Sequence, residues 1–324
     1  MKKASNRMLS LARCSVIAVG MSVLPVTAWA ETLTDALIAA YRNSNLLEQN
    51  RALLRVADDD VAVAMSSLRP TLDFVARASS SDPLTDAARL NNVDNVIGTF
   101  QLQASMVLYA GGRNKLSVES AKEAVLATRE SLRRVEQSVL LSAVQAYMNV
   151  LASEANVTIL ENNVQLISQE LKAAQDRFDV GEVTRTDVAQ AESRLAAARS
   201  ELAANRGDVA VAREIYKTAV GNYPGDLQTP GALPATANSL KEAQDIAVRT
   251  HPSIREAQRL VTVSEIGLRI AEAGYLPSVS ASVSAQTETN TNFEERTLNL
   301  DYTQPIYRGG QLAALERQAI NNVR

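Results

Sequence analysis

Little in this chain can do covalent chemistry. Its 324 residues hold one cysteine, Cys14, and one histidine, His251. A single cysteine closes no disulfide within the chain, and thiolate chemistry goes as well once Cys14 leaves with the N-terminal segment described below; no His/Cys/carboxylate cluster has the spacing of a zinc site or a catalytic triad. Aromatics are only 4% of the residues. No basic block exceeds short pairs such as Arg133-Arg134, so the electrostatic footprint of a nucleic-acid binder is missing. Past the N-terminus no apolar run reaches about 18 residues, which excludes a transmembrane helix. Asp58-Asp59-Asp60 lacks the spaced oxygen ligands and the glycine of a calcium loop and reads as a solvated helix face. Gly111-Gly112 and Gly309-Gly310 lack the further glycines of a phosphate loop, and each ends a strand pattern. His251, just before Pro252, reads as a structural residue at a helix break. No cofactor or metal is expected.

Residues 1–30 have the layout of a secretory signal. Lys2, Lys3 and Arg7 precede an apolar stretch from Leu9 to Leu24, interrupted by Arg13, and Ala28-Trp29-Ala30 is a small-x-small cleavage pattern before Glu31. The apolar core is too short and interrupted to serve well as a membrane anchor. The charge of Arg13 beside Cys14 argues against an acylated cysteine. Removing this segment takes four cations and no acids, moving the net charge from -3 to -7 and leaving no cysteine. An exported, cysteine-free chain fits the bacterial envelope.

The rest of the chain repeats itself. Leu33–Leu72 aligns with Leu240–Val279 at an offset of 207: Ala36 meets Ala243, Ala40 meets Ala247, Arg42 meets Arg249 and Pro70 meets Pro277. The match resumes at an offset of 198, where Tyr109-Ala110-Gly111-Gly112 meets Tyr307-Arg308-Gly309-Gly310. This period is far longer than that of solenoid repeats. The expected organisation is a signal at 1–30, repeat 1 at 31–220, a connector at 221–239 with Pro224, Pro230, Pro234 and three glycines, and an incomplete repeat 2 at 240–324.

Each repeat carries two stretches that alternate with period two, the mark of a strand with two unlike faces. Leu72, Phe74, Ala76 and Ala78 oppose Asp73, Arg77 and Ser79, with Val75 as an exception; Phe100, Leu102, Ala104, Met106 and Leu108 oppose Thr99, Gln101, Gln103 and Ser105. In repeat 2, Val279, Ala281, Val283 and Ala285 oppose a run of serines, and Leu298, Leu300 and Tyr302 oppose Thr297, Asn299, Asp301 and Thr303. The segments Ser80–Gly98 and Glu288–Glu295 would join each pair. A soluble sheet with one wet face alternates in the same way. Here the export signal and a length of about ten residues, which suits a tilted membrane strand, favour a bilayer. Four strands cannot close a barrel, and an open edge in lipid leaves backbone groups unsatisfied. Membrane barrels begin at about eight strands, so several copies must share one. On the polar face, Asp73, Arg77, Asn299 and Asp301 are candidate pore-lining residues.

Between Arg113 and Phe178 there is neither proline nor glycine. Apolar residues recur at spacings of three and four, through Leu132, Val139, Ala146, Val150, Leu160, Ile167 and Ala174, with a lapse at Ser153-Glu154. At about 1.5 Å per residue this predicts roughly 100 Å of helix. A turn at Val180-Gly181-Glu182 comes next; helix resumes with Thr184 or Thr186 as N-cap and continues the seam to Tyr216. The result is a long antiparallel hairpin.

In this order, three features resemble the TolC family of outer-membrane channel proteins. They are the helix-to-strand passages Leu68-Arg69-Pro70-Thr71-Leu72 and Tyr275-Leu276-Pro277-Ser278-Val279, the two Tyr-x-Gly-Gly exits, and the tip Arg177-Phe178-Asp179-Val180-Gly181-Glu182-Val183-Thr184-Arg185-Thr186-Asp187-Val188. His251-Pro252-Ser253-Ile254 also resembles the family's opening-helix motif, from which Asn43-Ser44-Asn45-Leu46 departs. The resemblance implies a mainly α fold with membrane β: long antiparallel helical hairpins, and four strands per chain given to a shared trimeric, 12-stranded β-barrel and a periplasmic α-barrel. It implies a homotrimer in outer-membrane lipid. Its partners would be a periplasmic adaptor (membrane fusion) protein and an inner-membrane pump or ABC transporter. By the same resemblance Phe178, Val180, Gly181, Glu182, Thr184, Arg185 and Asp187 form the adaptor-docking tip.

Family members continue past the second Tyr-x-Gly-Gly into a second long hairpin, whereas this sequence stops at Arg324. The chain is therefore expected to be truncated in repeat 2, and no gate residues are assigned. Two other readings stand beside the exit duct. A periplasmic adaptor would show one hairpin flanked by compact soluble domains, without duplicated membrane strands. An envelope enzyme is left little to work with by a single histidine.

Overall fold

The computed structural model describes residues 31–80, 96–232, 235–289 and 294–324. The expected signal at 1–30, most of the segment joining the first two strands, and parts of the connector and of the second joining segment lie outside the described residues.

The duplication is visible element by element. α1 (Leu33–Asn43) and α2 (Asn45–Ser66) lead into β1 (Thr71–Ser80) and β2 (Val96–Ala110), then into α3 (Arg113–Asp179) and α4 (Arg185–Val220). After the connector come α5 (Leu240–Thr250), α6 (Pro252–Glu272), a 3-10 turn at Ala273–Tyr275, β3 (Ser278–Glu288), β4 (Glu294–Thr303) and α7 (Gln311–Val323). The first residues of α1, α2 and β1 meet those of α5, α6 and β3 at the offset of 207, and α3 meets α7 at 198.

The opening helix expected of each repeat is thus a pair. A side chain that offers the backbone an alternative acceptor breaks it. Ser44 accepts from the Leu47 N–H at 3.3 Å. At the matching break the His251 Nδ1 accepts from the Ser253 N–H at 3.2 Å, and Pro252 takes the first helical position. The histidine is a helix cap. The departure at Asn43-Ser44-Asn45-Leu46 has its own work: the Asn43 amide donates to the Val220 carbonyl at 3.1 Å and closes the end of α4.

Each strand pair exits through two left-handed glycines. Gly111 and Gly112 have φ of 62° and 82°, and Gly309 and Gly310 have 58° and 82°. A side chain there would be strained, and at Gly111 it would also meet Leu276 Cβ at 2.7 Å.

The core lies where α1 crosses the hairpin. Ala36 and Ala40 pack against Ala143, Ala146, Tyr147 and Val150 of α3 and Ala212, Tyr216 and Val220 of α4. Alanines let the helices approach closely, and the two tyrosines are fully buried among them with ring centroids 6.3 Å apart. Each large apolar side chain buried here contributes about 1.5–3 kcal/mol. The hairpin is antiparallel: Arg213–Glu154 (2.7 Å) and Arg206–Glu161 (2.8 Å) bridge α4 to α3 in opposite chain directions. Being exposed, such pairs add at most about 1 kcal/mol each. The lapse in the seam at Ser153-Glu154 coincides with the first of them.

Candidate functional site

Two regions hold the sequence-predicted residues, at opposite ends of α3. Its 67 residues set them roughly 100 Å apart at about 1.5 Å per residue.

The first region is the sheet. It has four strands in the order β1-β2-β3-β4, all antiparallel. The central β2–β3 pairing joins the two repeats, although the hairpin and connector separate them in sequence. At the far end the Gly98 and Thr289 backbones meet again, with Thr289 N–H donating to the Gly98 carbonyl at 2.9 Å and Gly98 N–H to the Thr289 hydroxyl at 2.9 Å.

Directly opposed residues of antiparallel strands share a face, so the register fixes what each face carries. One row runs Leu72–Ala104–Val283–Leu298 and the next Phe74–Leu102–Ala285–Arg296. Between them lies the polar row Asp73–Gln103–Ser284–Thr297. Thr71–Ser105–Ser282–Asn299 is the next row on the polar side, where the Thr71 and Ser105 hydroxyls are 2.9 Å apart. Asp73, Arg77, Asn299 and Asp301 all fall on this polar face. The structure does not bring the four together within one chain: Asp73 and Arg77 lie on β1, Asn299 and Asp301 on β4, at opposite edges.

On the central strands the apolar face is the more exposed one: Phe100 and Leu102 are exposed, whereas Thr99, Gln101, Gln103 and Ser105 are half-buried. Leu72, Phe74, Leu298, Leu300 and Tyr302 are each about two-thirds or more exposed, while Val75, on the polar face, is 38% exposed. Along the outer half of β3, Val283, Ala285 and Thr287 are exposed and Ser284, Gln286 and Glu288 are sheltered. A soluble sheet has the reverse arrangement, hiding its apolar face.

One residue of this face escaped the alternation. The register shifts between Val107 and Tyr109, so that Leu108 is the extra residue of a bulge and Tyr109 opposes Val279, which opposes Tyr302. A bulge re-aims the side chains beyond it. Tyr109 therefore joins Tyr302 in an aromatic row at the helix-side border of the apolar band. Strict period two puts Tyr109 on the polar face; a bulge leaves no mark in the alternation itself.

The second region is the hairpin tip. Gly181 turns the chain with φ of 81°. Its N–H donates to the Phe178 carbonyl at 2.9 Å, and the Glu182 N–H to the Arg177 carbonyl at 2.9 Å, satisfying the end of α3. Of the two candidate caps the structure selects Thr184. The Asp187 carboxylate accepts both the Thr184 N–H and its hydroxyl, each at 2.8 Å. These bonds, the backbone one first, hold the Asp187 carboxyl below its ordinary value. All seven predicted tip residues are exposed, Val180 to 72% and Phe178 to 41%. Apolar groups so exposed at a loop tip suit contact with another surface.

Among the described residues there is no group of three or more His, Cys, Asp or Glu able to hold a metal, and Asp58, Asp59 and Asp60 are all exposed. No described helix is long and apolar enough to cross a membrane.

Comparison with known proteins agrees with this geometry. Residues 37–222 match the family described as outer membrane efflux protein. Over 316 residues the chain is 33% identical to outer membrane efflux protein BepC of Brucella suis biovar 1, a match spanning 95% of this chain and 68% of BepC. The proteases secretion protein PrtF of Dickeya chrysanthemi is 24% identical over 326 residues, spanning 94% of this chain and 70% of PrtF. Among solved structures, CusC, described for its transmembrane channel formation, superposes with a TM-score of 0.78 at 20% identity, covering 90% of this chain and 70% of CusC. The outer membrane protein VceC of Vibrio cholerae gives 0.75 at 18% identity, covering 90% and 72%. At those identities the two structures speak for the fold.

Proposed function

This chain belongs to the outer membrane efflux protein family and is an outer-membrane channel protein, and we propose that three copies of it form the exit duct of a tripartite efflux pump or a type I secretion system. The observation that carries this reading is the inverted pair of central strands, β2 and β3, whose polar side chains are sheltered while large apolar ones across the sheet stand bare. In a bilayer the apolar face meets lipid and the polar face lines water. Its open edges, β1 and β4, must be paired, because backbone groups bare to lipid cost several kcal/mol each, by about the scale of an unmade hydrogen bond in hydrocarbon. Pairing β4 of one copy with β1 of the next closes the ring. That step also sets Asn299 and Asp301 beside Asp73 and Arg77 of a neighbour, which the single chain leaves at opposite edges.

In this assembly the four polar-face residues line the lumen, the helices extend into the periplasm, and the tip from Phe178 to Asp187 meets a periplasmic adaptor. The adaptor connects the duct to an inner-membrane pump or an ABC transporter. The chemistry is passage rather than turnover, in keeping with a family of channel proteins. The domain division at residues 30, 220 and 239 tracks the duplication and is part of this proposal. The adaptor alternative is set aside, because the duplicated strands it does without form one sheet.

The deciding experiment is reconstitution. Protein extracted from the outer-membrane fraction with detergent is expected to have three times the chain mass and to open discrete conductance steps in a planar bilayer. A soluble periplasmic monomer without conductance would overturn the reading.

A further inference from the structure

The buried tyrosine pair is tied to the first described residue. The Glu31 N–H donates to the Asp226 carbonyl at 2.8 Å, and its own carbonyl accepts from the Gln228 N–H at 3.0 Å. The Tyr147 hydroxyl lies 2.9 Å from the Glu31 carbonyl and 2.6 Å from that of Gln228, sharing one hydrogen between them. The Glu31 carboxylate takes two donors: Oε1 accepts from the Tyr216 hydroxyl at 2.6 Å and Oε2 from the Gly225 N–H at 3.2 Å. A bridge between Glu31 and Leu227 completes the contact.

This matters for two reasons. Residues 221–232 form no helix or strand of their own. A proline- and glycine-rich segment that crosses a packed core must find partners for its backbone outside itself, and Glu31 supplies them at Gly225, Asp226 and Gln228. The two hydroxyls are fully buried, so no water stands in for a lost acceptor. The second reason is position. Glu31 is the residue immediately after Ala28-Trp29-Ala30, the small-x-small pattern of the signal.

We infer that Glu31 is the processed N-terminus of the exported chain and acts as a clasp, holding the connector across the root of the α3–α4 hairpin. Cleavage after residue 30 preserves all five hydrogen bonds that Glu31 makes. The α-ammonium group so created keeps its donor toward the Asp226 carbonyl. A cut one residue later removes all five. The site of cleavage, and not only its occurrence, therefore decides whether the connector is fastened. The clasp lies in the first repeat and in its link to the second, so it also fixes where repeat 2 leaves the hairpin.

The test is hydrogen exchange read by mass spectrometry on protein extracted from its native membrane, together with its intact mass. The mass is expected to place the N-terminus at Glu31. Replacing Glu31→Ala is expected to speed exchange of the peptide covering 221–232 by about tenfold, while strand peptides from β2 and β3 keep their protection. Tyr216→Phe keeps the ring and loses only the hydroxyl, and is expected to give a smaller rise confined to the same peptide. An N-terminus beyond residue 31, or unchanged exchange of 221–232 in the variants, would overturn the clasp. If Glu31→Ala fails to reach the membrane, Tyr216→Phe and the mass decide the matter. Neither readout depends on conductance, so a failed clasp and a failed channel are told apart.

Discussion

At the scale of single residues, the geometry separates positions that look alike in sequence. Gly111 and Gly112 are both left-handed, yet a Cβ at Gly112 meets nothing within 4 Å, whereas at Gly111 it falls 2.7 Å from Leu276 Cβ and 2.9 Å from the Ala273 carbonyl oxygen. Gly112→Ala is expected to cost only the backbone strain, about 1–2 kcal/mol. Gly111→Ala adds a collision with backbone and is expected to lose more; thermal melting followed by circular dichroism compares the two. Asp187 offers a pH test. Hydrogen bonds from the Thr184 N–H and hydroxyl depress its pKa below the ordinary 3.8, so the folded tip favours the charged form. The stabilisation is fully present above that ordinary value and is lost as pH falls through the depressed one. Exchange of residues 180–188, corrected for intrinsic rates, is expected to be flat from neutrality to about pH 5 and to rise only at still lower pH. Removing the carboxyl with Asp187→Ala should abolish that dependence. At the core, burial first and then the Glu31 carboxylate push the Tyr216 hydroxyl well above the usual phenol range, so it remains a donor at any physiological pH.

At the scale of elements, the sheet is where pattern and packing diverge. Val283 and Ser284 are neighbours on β3 whose side chains take opposite faces. A lysine at a lipid-facing midplane position costs about 2–4 kcal/mol, and much less where water is available. Val283→Lys is therefore expected to deplete the protein from the outer-membrane fraction. Ser284→Lys is expected to assemble and to alter conductance. Equal loss in both variants would contradict the assignment of faces. β4 is shorter than β2 by five residues, although the repeats match through Tyr307. Pro305 explains the stop, since it has no N–H to continue a ladder, and Ile306 and Tyr307 beyond it are 96% and 84% exposed.

At the scale of the whole molecule, the proposed ring would bring together charges that one chain keeps apart. Asp73 and Asp301 are acids on the polar face, with Arg77 the opposing cation on β1. A pore lined mainly by acids concentrates cations. Asp73→Asn combined with Asp301→Asn is expected to lower cation preference, measured as a reversal-potential shift across a salt gradient. Arg77→Gln is expected to raise it. No shift from either would remove these residues from the lumen.

Much of this was legible in the chain. Period-two alternation placed the strands, because a pleated strand has two faces whatever surrounds it. The absence of proline and glycine from Arg113 to Phe178 placed α3, because nothing there interrupts its hydrogen bonds. The repeat at 207 and 198 residues located the paired glycines, whose backbone only glycine adopts easily. Three other features needed the tertiary structure. The bulge that turns Tyr109 depends on pairing with β3, a strand from the other repeat. The choice of Thr184 over Thr186 depends on where Asp187 can reach. Glu31 reads in sequence only as the residue after a signal; its partners lie at positions 147, 216 and 225–228, and only packing brings them together. The sequence determined what is local, since propensity and periodicity act between neighbours. Folding decided which side chains of the central strands are sheltered and what the first described residue holds, because both depend on contacts between segments far apart in the chain.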